Sequence, residues 1–161
     1  MRARRVNIAI QMASPRVHVA RELIAELDRY LNRLYPPDRN YLLDVEALCA
    51  PEVAFFVARC GDAAAGCGAV RRLKDGSAEI KRIYVRPQYR GQGVGREILL
   101  ALKRHAQAIG ATLIVLETGV GQPEALALYA RHQYVRRERY GEYRDDPTSI
   151  FYEKRIGPPA S

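Results

Sequence analysis

Three glycines within five residues constrain the fold of this chain more than any other feature. They lie in the segment Arg90-Gly91-Gln92-Gly93-Val94-Gly95, between a run typical of a β-strand and a run typical of a helix. Glycine lets the backbone turn sharply and approach a ligand without an intervening side chain. The helix that follows directs its unpaired N–H groups and the positive end of its dipole at the turn, which favours a bound anion. The segment therefore predicts a phosphate or diphosphate site rather than a tight turn alone.

Two familiar phosphate-binding patterns do not match this segment. The Walker pattern requires a Lys followed by Ser or Thr after its last glycine, whereas Arg96 and Glu97 follow here. The dinucleotide pattern G-x-G-x-x-G requires a glycine at position 96 and a place after the first strand of a βαβ array. Position 96 is Arg, and the segment follows a predicted meander of antiparallel strands. An Arg-x-x-Gly-x-Gly pattern remains, formed by Arg90, Gly93 and Gly95.

The hydrophobic pattern predicts an alternation of strands and helices. Apolar residues at three- and four-residue spacing indicate a helix over 17–34, which Pro36-Pro37 ends. A turn at 74–77 joins two β-rich runs into a hairpin of the meander. Further helices are expected at 44–49, 94–109 and 123–131, and strands at 53–59, 64–73, 78–85, 113–117, 134–139 and 149–154.

These elements define a fold class. With a strand ahead of the first helix, the order is β, α, α, β, β, β, α, β, α, β, β. The strand–helix–strand unit in its middle must be parallel, so the sheet is mixed and the fold is α/β or α+β. We expect one domain over 1–156 and a flexible tail over 157–161, because no repeat, low-complexity tract or linker divides the chain.

The segment 79–99, EIKRIYVRPQYRGQGVGREIL, resembles the GNAT superfamily of acyl-CoA-dependent N-acetyltransferases. The resemblance extends to the order of elements and to the segment 117–135, ETGVGQPEALALYARHQYV. It implies a mixed, mostly antiparallel sheet of six to seven strands, flanked by helices, with a splayed central parallel pair. It also implies acetyl-CoA as co-substrate, no metal, and direct attack by an amine in a ternary complex.

The resemblance also implies which residues bind the co-substrate. In the family, N–H groups of the Gly-rich turn hold the CoA pyrophosphate, and the bulged strand before it pairs with the pantetheine amides. Unpaired backbone groups of splayed strands suit such an amide-bearing ligand. Gln122 stands where the family commonly has an Asn that contacts the cofactor, and Gln133 where a glycine usually ends the helix. The expected cofactor-binding residues are Ile83, Tyr84, Val85, Arg90, Gly91, Gln92, Gly93, Val94, Gly95 and Gln122.

Two residues are expected to move protons. Acetyl transfer needs a neutral amine, a stabilised carbonyl oxygen and a proton for the departing thiolate. Glu79 lies eleven residues before Arg90, where family members with a carboxylate base often carry it, and is the candidate base. Tyr129 lies in the helix that matches the Tyr-bearing helix of the family and is the candidate acid. The alternatives are a Glu paired near Lys81 on a solvated face and a core aromatic residue.

The acceptor pocket is expected between the first two helices and the loop before the last strand. Aromatic and acidic side chains there suit an amine, and basic ones near the same sheet end suit a carboxylate or phosphonate on the substrate. A small amino acid-like or aminoalkyl amine is therefore favoured over a protein lysine or N-terminus. Asp145-Asp146-Pro147 is equally consistent with a simple turn. The residues concerned are Tyr30, Tyr35, Tyr41, Tyr140, Tyr143, Asp145 and Asp146, with Arg71, Arg72, Lys81 and Arg82 as the basic set.

Charge and composition narrow the classes of partner. The 161 residues include 26 Lys and Arg against 18 Asp and Glu, a net charge of +8 that suits an anionic ligand. No helix-turn-helix, zinc or RNA-binding signature points to nucleic acid. There is no secretory signal or apolar run long enough for a membrane, and three cysteines without a Cys-x-x-Cys pair favour the cytoplasm. A homodimer is compatible with the sequence, and a catalytically silent acyl-CoA sensor is the alternative to an enzyme.

Overall fold

The computed structural model describes residues 7–35 and 44–158. Within these ranges the chain forms seven strands and four α-helices in the predicted order. The strands are β1 (Ile8–Met12), β2 (Val53–Cys60), β3 (Ala63–Arg72), β4 (Ala78–Val85), β5 (Leu113–Gly119), β6 (Val135–Arg137) and β7 (Ser149–Arg155). The helices are α1 (His18–Leu34), α2 (Val45–Leu48), α3 (Val94–Ala108) and α4 (Pro123–Arg131), and a 3₁₀ turn, Pro87–Tyr89, links β4 to α3.

The strands form one mixed sheet in the order β1-β2-β3-β4-β5-β7-β6. Neighbouring strands are antiparallel, except that β4 and β5 are parallel. The β4–β5 register covers three residue pairs, from Ala78–Ile114 to Ile80–Leu116, although both strands continue beyond it. The two central strands therefore separate after Ile80 and Leu116, which confirms the predicted splayed parallel pair in a mostly antiparallel sheet.

A β-bulge lies in β4 where the separation begins. Tyr84 pairs with Cys67 and Lys81 with Ala69, so one β3 residue faces two residues of β4. Arg82 adopts a left-handed conformation with φ of 62°, which is rare and strained for a residue with a side chain. The Arg82 side chain is 1% exposed, and its Nη1 lies 2.5 Å from Oδ1 of Asp28 in α1. The ion pair ties the bulge to the helix above it.

Two helical layers cover the two faces of the sheet. Helix α1 buries an apolar stripe of Ala20, Leu23, Ile24, Leu27 and Leu31 against one face. Helices α3 and α4 pack on the opposite face, where the larger apolar core lies. Gly68 permits the close approach of α3, because a Cβ there would lie 2.6 Å from Cγ2 of Ile98. The splayed strands are thus enclosed between α1 and α4.

The element bounds differ from the predicted ones mainly near the C-terminus. The strand expected over 134–139 is reduced to Val135–Arg137, the stretch that pairs with β7. Tyr134 is instead buried, and its N–H donates to the Tyr129 carbonyl at 3.0 Å. Strand β5 continues two residues beyond the predicted apolar run, to Gly119. Among the described residues, none of the helices has the length and apolar character needed to span a membrane.

Candidate active site

A cavity opens between β4 and β5 where their pairing ends. Helix α1 covers one side of it and helix α4 the other. The segment just before β7 completes the wall. The lining residues are Leu27, Leu31, Tyr35, Ile80, Lys81, Arg82, Ile83, Glu117, Thr118, Gly119, Gln122, Tyr129, Thr148 and Ser149.

The Gly-rich turn lies just past the end of β4, ahead of α3. Gly91 and Gly93 have φ values of 76° and 88°, and no atom lies within 4 Å of a Cβ built on either residue. The Glu97 N–H donates to the Gly93 carbonyl at 3.1 Å, so the N–H groups of residues 94–96 precede the helical hydrogen-bond ladder. These donors, the helix dipole and the open space above the turn fit a diphosphate.

The Arg90 side chain folds back over the end of β4. Its Nε donates to the Val85 carbonyl at 3.1 Å, and its guanidinium lies 5.9 Å from the ring centroid of Tyr30. Tyr30 and Arg90 border a second, shallow pocket with Glu26, Arg29, Arg33, Tyr84 and Pro87. The predicted aromatic residue Tyr30 is therefore next to the Gly-rich turn and not on the wall of the cavity between β4 and β5.

The other predicted cofactor-binding residues differ in whether their side chains line the cavity. Ile83 and Gln122 line the cavity, and Gln122 is the N-cap of α4. The Tyr84 hydroxyl turns toward α1 and donates to Oε1 of Glu26 at 3.2 Å, while the Val94 side chain is buried in the core. Tyr84 therefore presents its backbone, and not its side chain, to the splayed strands. Val94 likewise presents its backbone to the turn.

Two further residues of the turn have local roles in the fold. Gln92 donates from Nε2 to the carbonyl of Gln88 at 3.2 Å, within the turn itself. A Cβ on Gly95 would lie 3.2 Å from Cδ2 of Leu128, so this glycine allows α3 and α4 to pack closely. The third glycine of the motif therefore has a role in helix packing.

Glu79 is completely buried beside the cavity. Its Oε1 accepts hydrogen bonds from Nε and Nη2 of Arg71 at 3.1 and 2.7 Å, and its Oε2 accepts from the Tyr143 hydroxyl at 2.9 Å. The Tyr140 hydroxyl also donates to Oε2. Lys81, on the cavity wall, donates to Tyr143 and so connects the cavity to this network. The face on which Glu79 pairs is buried and not solvated.

Tyr129 lines the cavity from α4 and is 5% exposed. Its ring centroid lies 5.8 Å from those of Tyr134 and Tyr152, which form a tilted aromatic group with it. Burial, and then the negative charge of Glu117, raise the pKa of the Tyr129 hydroxyl above its ordinary value. The hydroxyl therefore stays protonated at neutral pH, as a proton donor must.

Glu117 is a cavity residue that the sequence reasoning missed. It ends the run LIVLE, which reads as a strand buried on both faces. Burial raises the pKa of its carboxyl group to about 7, while Lys81 opposes the shift and Glu79 and Asp146 add to it. A carboxylate at the end of an otherwise apolar central strand is the signal that would have identified it. At neutral pH this group is able to take up or release a proton.

Lys81 is a cationic side chain of the cavity wall that interacts electrostatically with both carboxylates. Burial lowers the pKa of its ammonium group, while the charges of Glu79 and Glu117 counteract that effect. Its ammonium nitrogen lies 4.8 Å from the ring centroid of Tyr143. The cavity wall therefore carries the Glu117 carboxylate, the Lys81 ammonium and tyrosine hydroxyls, with the Arg82 guanidinium also on it. The Glu79 carboxylate is buried behind that wall.

The remaining residues of the predicted acceptor pocket are only partly brought together. Tyr35 lines the cavity, and its hydroxyl accepts a hydrogen bond from the Gly121 N–H at 3.1 Å. Asp146 caps a turn, accepting from the N–H and hydroxyl of Thr148 at 2.8 and 2.7 Å, which agrees with the turn interpretation. Arg82 is bound to Asp28 and Arg71 to Glu79. Arg72 and Asp145 are exposed, and Tyr41 lies outside the described residues.

A metal centre does not form within 7–35 and 44–158, where no group of three or more His, Cys, Asp or Glu side chains is arranged to hold an ion.

Comparison with known proteins places this geometry among acyltransferases. The model of the acetyltransferase (GNAT) family matches residues 19–134. The chain is 41% identical over 149 residues to an IAA acetyltransferase from Azospirillum brasilense, covering 92% of this chain and 97% of that protein. A crystal structure described as an acyl-CoA N-acyltransferase from Klebsiella pneumoniae is 33% identical with a TM-score of 0.80, covering 94% of this chain and 99% of that one.

A more distant structure shares the fold. It is the PaiA N-acetyltransferase from Thermoplasma acidophilum in complex with coenzyme A, with a TM-score of 0.71 at 15% identity. The similarity covers 93% of this chain and 99% of that one.

Proposed function

Because the chain belongs to the GNAT family of acetyltransferases, we propose that it transfers the acetyl group of acetyl-CoA to a primary amine of a small molecule. The observation that carries this proposal is the separation of β4 and β5 after three paired residues. It creates a cavity that contains Tyr129 and a carboxylate, and the Gly-rich turn follows the unpaired end of β4. The acceptor attacks directly, with both substrates held in one ternary complex.

Acetyl-CoA is proposed to bind along the end of β4 and the Gly-rich turn. Residues 90–95 are proposed to hold its pyrophosphate through the N–H groups that follow Arg90, because the Arg90 N–H donates to the Pro87 carbonyl while Gly91 and Gly93 leave the turn uncovered. Beyond Ile80, the edge of β4 no longer pairs with β5, so the backbone of 83–85 offers donors and acceptors to the pantetheine amides. Gln122 contributes from the opposite wall. The reactive thioester would then lie within the cavity.

The chemistry requires a proton donor for the leaving thiolate. Tyr129 is proposed in this role because it lines the cavity and its raised pKa keeps the hydroxyl protonated. A backbone N–H on the unpaired part of β4 is suited to stabilise the carbonyl oxygen as negative charge develops.

The proton acceptor is a separate question, because two carboxylates lie on this part of the sheet. Glu79 is the base that the family resemblance implies, and it connects to the cavity through Tyr143 and Lys81. Its role is tested by Glu79→Gln, which as a base predicts a large loss of kcat/KM at neutral pH with little loss of acetyl-CoA affinity. Unchanged turnover would remove Glu79 from the mechanism.

A small acceptor is supported by the enclosure of the cavity. Leu27 and Leu31 of α1 and the Tyr35 ring form one side of it. Two basic residues expected to bind an acidic group, Arg71 and Arg82, already pair with Glu79 and Asp28. The carboxylates that remain near the cavity favour a cationic acceptor, so an aminoalkyl compound fits better than an amino acid with a free carboxylate.

The proposal is tested by following thiol release from acetyl-CoA with a panel of acceptors. The panel should contain alkylamines, aminoalkyl alcohols, amino acids, IAA (named in the Azospirillum relative) and peptides with a lysine or a free N-terminus. Turnover confined to small amines supports the proposal. Turnover with peptides alone favours a protein acetyltransferase, and acetyl-CoA binding without any turnover favours a regulator.

A further inference from the structure

The bulge in β4 sets the register of the strand edge that faces the cavity. Between Lys81 and Tyr84 the pairing advances three residues along β4 for two along β3. The extra residue reverses the alternation of side chains beyond it. Tyr84 therefore packs in the layer covered by α1, while Ile83 and Val85 pack in the core on the opposite face. Without the bulge, these three side chains would exchange faces.

Arg82 lies at the bulge in a conformation that residues with a side chain rarely adopt. Its φ of 62° is in the left-handed region, where glycine is the usual residue. In the described part of the chain, Gln133 is the one other residue with a Cβ at positive φ, and it lies at a helix end. Such a conformation persists only when surrounding contacts hold it.

Contacts on both the side chain and the backbone hold Arg82. The side chain is almost completely buried, and its Nη1 lies 2.5 Å from Oδ1 of Asp28. The Arg82 carbonyl accepts a hydrogen bond from the thiol of Cys67, which is fully buried in the neighbouring strand, at 3.5 Å. A buried guanidinium is costly without an anion. The Asp28 carboxylate therefore stabilises the cation in the place where the strained backbone needs it.

Asp28 belongs to the helix that covers the cavity. It follows Leu27 and precedes Leu31 by three residues, and both leucines line the cavity. Arg82 lines the same cavity from β4. The ion pair therefore links two walls of the cavity, one a helix and the other the free edge of a strand.

We infer that the Arg82–Asp28 ion pair positions acetyl-CoA. The pair holds the left-handed conformation of Arg82, and the bulge in turn fixes the register in which the backbone of 83–85 meets the pantetheine arm. This inference rests on the proposed binding of acetyl-CoA along β4. Both are positioning residues, because Asp28 acts through Arg82 and Arg82 acts through the backbone that follows it.

The first test compares Arg82→Ala with Arg82→Gly. Both variants lack the ion pair, but only alanine carries a steric penalty at a φ of 62°. We expect Arg82→Ala to raise the Kd for acetyl-CoA about tenfold, because the bulge relaxes when nothing holds the strained residue. Arg82→Gly should stay close to the wild-type Kd. Equal Kd values for the two variants would overturn the inference.

A truncated ligand separates a shifted β4 edge from general damage to the site. Adenosine 3′,5′-bisphosphate has phosphates for the Gly-rich turn but lacks the pantetheine arm, so it does not reach 83–85. In calorimetric titrations, Asp28→Asn and Arg82→Ala should bind acetyl-CoA more weakly and the bisphosphate as well as the wild type does. An equal loss for both ligands would contradict a role confined to the β4 edge.

The control for lost stability is Ile24→Val. Ile24 is buried on the same helix as Asp28 and is not on the cavity wall. This variant should unfold at a lower urea concentration with an unchanged Kd for acetyl-CoA. A weaker Kd here would mean that any loosening of α1 disturbs the site and that the ion pair has no particular role.

A double variant covers the case in which Asp28→Asn does not fold. Asp28→Asn/Arg82→Gly also removes the buried cation that Asp28 neutralises, together with the strain. It should bind acetyl-CoA as Arg82→Gly does, since the pair acts through the backbone of residue 82. A Kd as weak as that of Arg82→Ala would overturn the inference.

None of these binding measurements involves an acceptor, so the inference and the proposed function fail separately. An acceptor panel without turnover would overturn the proposed reaction and leave the order of Kd values intact. Conversely, equal Kd values for Arg82→Ala and Arg82→Gly would overturn the positioning role while small-amine acetylation stood.

Discussion

Nη2 of Arg71 lies 2.7 Å from Oε1 of Glu79, and the Glu79 side chain is 1% exposed. The two residues are neighbours on β3 and β4, directly opposite in register. An ion pair inside a protein offsets the cost of taking its charges out of water only when the partners are well placed and their remaining hydrogen bonds are made. Here the hydroxyls of Tyr140 and Tyr143 donate the remaining hydrogen bonds to the Glu79 carboxylate. Removal of Arg71 would leave a buried negative charge without its cation.

Arg71→Met should therefore lower the free energy of unfolding by about 3 kcal/mol, measured by urea denaturation at pH 7. The double variant Arg71→Met/Glu79→Gln should recover a large part of that loss, because it removes the unpaired charge. A loss well below 1 kcal/mol in the single variant would mean that the two tyrosines alone satisfy Glu79.

Tyr129→Phe should lower kcat about 100-fold without weakening acetyl-CoA binding, because the leaving thiolate loses its proton donor. Steady-state kinetics and calorimetric titration measure the two quantities. Tyr134→Phe is the matched control, since the Tyr134 hydroxyl is buried without a hydrogen-bond partner in the described part of the chain. Its removal should leave kcat unchanged and stability equal or higher. A wild-type kcat in the Tyr129→Phe enzyme would end the assignment.

Gly93→Ala should raise the Kd for acetyl-CoA about tenfold or more and lower stability by roughly 1 kcal/mol. The left-handed φ of 88° disfavours any residue with a Cβ, and a shift of the turn would move the N–H donors. Gly76→Ala in the β3–β4 turn carries the same strain, with φ of 87° and open space around it. The Gly76→Ala control should lose stability but keep its affinity for acetyl-CoA. Equal Kd values for the two variants would show that the Gly-rich turn does not contribute to CoA binding.

The free energy of unfolding should depend on pH through Glu117. Its pKa is about 7 in the folded state against an ordinary value of 4.5, so the folded chain holds the proton more tightly. As pH rises from about 4.5 to 7, the unfolded state binds fewer protons than the folded state, and the stability from this group is lost. Glu117→Gln should remove a loss of up to about 3 kcal/mol. The check compares urea denaturation of both proteins at pH 5 and pH 8; parallel curves would contradict the shifted pKa.

Gln133→Gly should stabilise the protein by about 0.5–1 kcal/mol. Gln133 follows the end of α4 with φ of 67°, a conformation in which glycine has no steric penalty. Thermal denaturation should show a higher Tm with unchanged kinetics, because this residue is not on the cavity wall. Gln107→Gly within α3 is the contrasting control and should destabilise.

The sequence was most informative where structure is local. Periodicity and turn residues predicted the order of all the described strands and helices, and Ala78–Val85 and Pro123–Arg131 were predicted to the residue. The shortened β6 was not predicted, because its length depends on pairing with β7 rather than on its own residues. Local propensity does not contain that information.

The site was predicted less completely for the same physical reason. The Gly-rich turn and Tyr129 are recognisable within short segments, so both could be found before the fold was known. Glu117 was missed although its carboxylate ends an apolar run, because such a run reports burial and does not reveal where two parallel strands separate. The network around Glu79 joins β3, β4 and the segment before β7, whose residues meet only after folding.

The short β4–β5 ladder has a consequence for the mechanics of the molecule. Strands β1 to β4 form one antiparallel array and β5, β7 and β6 another, and three residue pairs join them. A ligand that hydrogen-bonds along the free edge of β4 while contacting α4 adds further contacts between the two arrays. Acetyl-CoA should thus add a link between the two arrays, and amide hydrogens in both arrays should exchange more slowly when it is bound. The gap between β4 and β5 that admits the co-substrate thus also allows the bound co-substrate to link the two arrays of the sheet.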